Sequence, residues 1–69
     1  MNDVVEGYTE RVRALLLAHG CTYLRPGKGD HELWLCPGSI RPVVVDGKMM
    51  SRHTANGVLK QAGIKDRIR

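Results

Sequence analysis

Residues 27–31 read Gly-Lys-Gly-Asp-His. They combine a histidine, a side chain that changes charge between about pH 5 and 8, with a lysine and two glycines whose bare backbone lets a ligand approach closely. His31 also opens the strand-like run "HELWLC" over 31–36. A strand starting there fixes the direction of the imidazole while the loop before it stays open. In that position the ring can take or give a proton at neutral pH, as a general base or a general acid. Arg25 and Lys28 flank the same turn as candidate phosphate clamps, and Gly29 is the point of close approach. A plainer role for His31 is an exposed strand-start residue hydrogen-bonded to Asp30.

The other titratable and aromatic residues are weighed the same way. Arg52 and His53 follow Ser51 at the start of a predicted helix, whose free N–H groups favour anions, so both are candidate RNA contacts. For His53 a solvent-facing first-turn position or a protein contact is the simpler alternative to acid–base chemistry. His19 falls in the last turn of a first helix, where the dipole alone accounts for it. Zinc takes clustered ligands, and three histidines and two cysteines dispersed singly argue against a metal site. Cys21 and Cys36, fifteen positions apart and outside any CxxC, read as reduced thiols that fill core or sheet positions. Trp34 alternates away from Leu33 and Leu35 and is expected in the core, with a place on the open sheet face as the alternative.

The elements that must hold these residues follow from spacing. Asp3 with Glu6 forms a variant capping box, and Val5, Tyr8, Val12, Leu15 and Leu16 recur at helical spacing up to a left-handed cap at Gly20. Glu10, Arg11 and Arg13 fall mostly outside that stripe. Residues 21–25 and 31–36 are predicted strands around a five-residue hairpin loop, 26–30. Pro37-Gly38-Ser39 turns the chain into a third strand over 41–46. Ser51 caps a second helix with Ala55, Val58, Leu59 and Ala62 on one face and Gly63 as terminator, despite Gly57, which costs about 1 kcal/mol inside a helix. The expected fold is α+β, in the order α-β-β-β-α, with a three-stranded antiparallel sheet and two helices on one face. The opposite face stays uncovered and available for binding.

At 69 residues the chain is expected to be a single domain, 1–69, with one small core. Its 42% hydrophobic and 26% charged residues are those of a folded domain and not of a disordered tail. The formal charge of +4 is uneven: residues 1–20 sum to −1 and residues 21–69 to +5. That bias favours a polyanionic partner, chiefly nucleic acid. The longest apolar run, "ALLLA", is too short to span a bilayer and no leader precedes it, so a cytoplasmic protein without membrane contact is expected. The closing "IKDRIR" reads as a solvated tail whose Lys65, Arg67 and Arg69 are free to track phosphates or meet an acidic protein.

Two stretches, Gly29-Asp30-His31-Glu32-Leu33-Trp34 and residues 51–63, "SRHTANGVLKQAG", together resemble the HicA toxin family of prokaryotic toxin–antitoxin systems, over nearly the whole chain. The resemblance implies a minimal fold like that of double-stranded-RNA-binding domains. It also implies a ribonuclease acting on messenger RNA and inhibition by a cognate HicB-type antitoxin; with the possible ligands dispersed, no metal or other cofactor is expected. The family's Gly-Ser-His motif maps onto Gly29, Asp30 and His31, with His31 in the catalytic position and Asp30 where many members carry Ser. The expected function is thus an mRNA interferase, the endonuclease toxin of such a pair. The alternative is an RNA-binding module of double-stranded-RNA-binding type that does no chemistry and has no particular need for His31.

Overall fold

The computed structural model describes residues 7–69, in the order α1 (Thr9–Ala18), β1 (Thr22–Pro26), β2 (His31–Leu35), β3 (Val43–Asp46) and α2 (Arg52–Gln61). The strands form one antiparallel sheet, β1-β2-β3, with β2 at its centre. The chain is an α+β fold of α-β-β-β-α order.

The start of α1 departs from expectation. Asp3, Val5 and Glu6 lie outside the described residues, but Gly7 already has φ +82°, so no helix runs through it into Thr9. A Cβ on Gly7 would come within 2.3 Å of the Met49 carbonyl oxygen, and the Tyr8 N–H donates to that same oxygen at 2.6 Å. Thr9 completes the anchor: its buried hydroxyl donates to the Asp46 carbonyl at 3.1 Å and accepts the Met49 N–H at 2.8 Å. Contacts with the segment after β3 set this helix start.

Both helices stop as their glycines predict. Gly20 and Gly63 have φ +88° and +77°. Behind each, the next N–H reaches back to a helical carbonyl, Cys21 to Leu16 and Ile64 to Leu59, both at 2.9 Å. Gly20 and Gly63 donate to Leu17 and Lys60, so each end is a Schellman cap. At the other end of α2 the Ser51 hydroxyl accepts the N–H groups of His53 and Thr54, as a helix cap should.

Period-two alternation divides the sheet cleanly. Trp34, Cys36, Val43 and Val45 are buried against Val12 and Leu16 of α1 and Ala55, Val58 and Leu59 of α2. Trp34 is therefore core, 5% exposed, in a T-shaped contact with Tyr23. On the far face Leu35 and Val44 remain exposed, with Leu33 half-buried between them. Both helices cover one side and the other is open.

Further expectations are corrected. The β1–β2 loop is four residues, 27–30, because Pro26 pairs with Glu32; an edge strand tolerates its missing N–H. β1 also carries one extra residue between Tyr23 and Arg25, a bulge that shifts the register. Cys21 and Cys36 are not separate thiols: they form a disulfide. The Thr22–Leu35 and Tyr23–Trp34 pairing places these two residues opposite each other, Cα atoms 4.1 Å apart, on the buried face.

The C-terminal segment is docked rather than solvated. Ile64 and Ile68 belong to the core, and the Asn56 side chain donates to the Ile68 carbonyl at 2.9 Å while accepting the Ile68 N–H at 2.7 Å. His19 Nε2 lies 2.9 Å from Asp66 Oδ2, tying the segment to the end of α1 as well.

Candidate functional site

His31 is the first residue of the central strand, and its backbone is held on three sides. Its N–H donates to the Lys28 carbonyl at 3.0 Å, its own carbonyl accepts the Gly27 N–H at 2.7 Å, and its ladder partner in β3 is Asp46. The preceding residue is fixed too: the Asp30 carbonyl accepts the Gly47 N–H at 2.9 Å, and a Cβ on Gly47 would collide with that oxygen. These bonds immobilise the backbone under an exposed imidazole, which alternation places on the open face with Leu33 and Leu35.

The loop beside it stays accessible. Gly29 has φ +61° with no atom within 4 Å of where its Cβ would be, and Lys28 is exposed. Arg25 pairs across from Leu33, two residues along β2, and is exposed with Nη1 3.4 Å from the Pro26 carbonyl. Arg25, Lys28, Gly29 and His31 thus share one end of the hairpin. Asp46 joins them through strand register, which no local sequence signal announces; its carboxylate accepts the Lys48 N–H at 2.9 Å.

Under His31, on the helix side, lies an ion-paired support. Glu32 accepts from Trp34 Nε1 at 3.0 Å and from Arg13 Nε at 3.2 Å, and Arg13 also bonds its second oxygen and Glu10. The Arg13 hydrogen bonds hold the Glu32 carboxyl below the usual carboxylate range, against partial desolvation and with help from the Trp34 N–H. This pair locks α1 to the strand that aims His31.

Arg52 and His53 are elsewhere. They line a groove between α2 and the docked C-terminal segment, with Asn56, Arg67, Ile68 and Arg69, and none of the hairpin residues contributes to it. The predicted RNA contacts therefore fall into two clusters. Among the described residues, no three His, Cys, Asp or Glu side chains gather as a metal site. Nor is any helix among them long and apolar enough to cross a membrane.

Comparison with protein-family models, with curated proteins and with solved structures found no match to this chain.

Proposed function

We propose that this chain is the toxin of a HicA-type toxin–antitoxin pair, a metal-independent endoribonuclease that cleaves messenger RNA with His31 as its acid–base group. One observation carries the proposal: an exposed imidazole stands on an immobilised strand start, beside an open, glycine-flexed loop that carries Lys28, with Arg25 on the adjoining edge strand. The order α-β-β-β-α and the two stretches that resemble the HicA family are consistent with it.

In this mechanism Lys28 and Arg25 hold the scissile phosphate and favour the charge that builds on its oxygens. The imidazole takes the 2′-hydroxyl proton as that oxygen attacks phosphorus, or gives a proton to the departing oxygen. Arg52 and His53 contact the same RNA away from the cut. The open sheet face, with Leu35 and Val44 exposed, offers a HicB-type antitoxin an apolar surface next to His31. The protein acts in the cytoplasm, where thiols are kept reduced; the Cys21–Cys36 bond is expected to open there, leaving the ladder and core to hold the hairpin.

The test is incubation of wild-type and His31→Ala protein with one long RNA in EDTA. Discrete fragments from the wild type alone are expected. Intact RNA with both proteins, together with a gel shift, would instead assign a binding module that does no chemistry.

A further inference from the structure

The chain's charge is distributed in a way the fold makes significant. Residues 1–50 contain six Lys/Arg and six Asp/Glu, whereas residues 51–69 contain five Lys/Arg and one Asp. The entire formal charge of +4 thus resides in α2 and the segment after it. In a floating tail, such charge would only aid solubility. Here the segment is fixed, by burial of Ile64 and Ile68 and by the two Asn56 hydrogen bonds.

Docking leaves two adjoining hollows, which share His53, Asn56 and Arg67 and form a groove with α2 on one bank and the segment on the other. Arg52 and Lys60 stand on the helix side and Lys65, Arg67 and Arg69 on the other. The groove's one acid, Asp66, is engaged by His19. Among the described residues none of the five groove cations forms a salt bridge, since Arg13 pairs with Glu10 and Glu32 and the Asp66 carboxylate lies against His19. All five are exposed to solvent and outnumber the groove's single acid.

The floor of the groove also suits a strand of phosphates better than a protein. Its large apolar side chains, Ile64 and Ile68, are only 7% and 3% exposed, so it lacks the apolar anchor that protein partners use. Gly57 lies on this floor, mid-helix, and a Cβ there would touch nothing within 4 Å. No packing demands glycine at a position where helix propensity favours alanine, and the bare backbone leaves room for a ligand.

We infer that the groove between α2 and the docked C-terminal segment is a track for the RNA phosphate backbone, separate from the His31 site. That its occupant is RNA rests on the function proposed above. The track holds substrate without taking part in cleavage, and its contribution is electrostatic and independent of base sequence.

The test uses the full chain with His31→Ala throughout, so that the probe stays intact, and a fluorescein-labelled 20-nucleotide single-stranded RNA titrated at several salt concentrations. Lys65→Gln and Arg67→Gln should each weaken binding and each lower the slope of log affinity against log salt by about 0.7. Arg41→Gln, which removes an equal charge outside the groove, should leave the slope unchanged. Equal slopes in Lys65→Gln, Arg67→Gln and Arg41→Gln proteins would overturn the track, as would an RNA that fails to bind at low salt. The outcome is independent of the proposed chemistry: wild-type protein that binds through the groove yet never cuts would end the nuclease reading and leave the track standing.

Discussion

The β1–β2 hairpin and the α2 groove both present cations to solvent, yet they are built in opposite ways. At the hairpin a single imidazole is aimed by backbone bonds from Gly27, Lys28 and the paired strand, and its cationic neighbours lie on the loop and the edge strand. In the groove no one side chain is singled out; five cations line two banks whose rigidity comes from a buried segment clamped by Asn56. Chemistry needs one group in one orientation, whereas holding a polyanion needs summed charge with little orientation at all. The difference makes the two regions separable by experiment.

The largest expected effect is on His31. Its replacement by Ala should lower cleavage by roughly a hundredfold or more while RNA affinity and its salt slope stay put. Single-turnover rates beside binding isotherms check this, and a variant that binds poorly but cuts normally would reverse the assignment of the two regions. The pH profile sharpens the role of the ring: a general base loses rate as the solution is acidified, a general acid as it is made alkaline.

Next in size is the hairpin's covalent tie. Reduction, or Cys21→Ser with Cys36→Ser, should cost about 3 kcal/mol in urea unfolding, the loop-closure value for a fifteen-residue separation. At temperatures where the reduced protein remains folded, cleavage should persist; its loss would mean that the ladder alone cannot aim His31.

The groove has a corresponding structural test. Asn56→Ala leaves the Ile68 N–H and carbonyl without partners and should destabilise the protein by about 1–3 kcal/mol. Native-state hydrogen exchange should show the loss concentrated at residues 64–69. Unchanged protection there would show that Ile64 and Ile68 alone dock the segment.

The smallest effect concerns the support under His31. Because Arg13 depresses the Glu32 carboxyl in the folded protein, the stabilisation is present above the unfolded value, about 4.3, and is lost as pH falls through the lower folded value. Glu32→Gln should remove about 1–2 kcal/mol at neutral pH and flatten the acid limb of the stability curve. An unchanged acid limb would show that the Arg13 bonds do not couple folding to pH.

Much of the positioning framework was legible in the chain. Gly20 and Gly63 mark caps because a left-handed residue is cheapest as glycine, Ser51 marks one because its hydroxyl satisfies free N–H groups, and alternation around Trp34 marks a half-covered sheet. Helical spacing likewise placed Val12, Leu16, Ala55, Val58 and Leu59 in the core. Each of these signals acts over a few residues, so the sequence by itself determined the order of elements and the placing of His31 at a strand start.

What joins distant residues was decided only by tertiary structure. The pairing of Cys21 with Cys36 and of His31 with Asp46 depends on register, which one bulged residue shifts for part of a strand. The start of α1 depends on Met49 and Asp46, some forty positions away. The closing segment, whose charges suggest solvent, is drawn in by two isoleucines and one asparagine, since burying apolar surface outweighs leaving a short tail free.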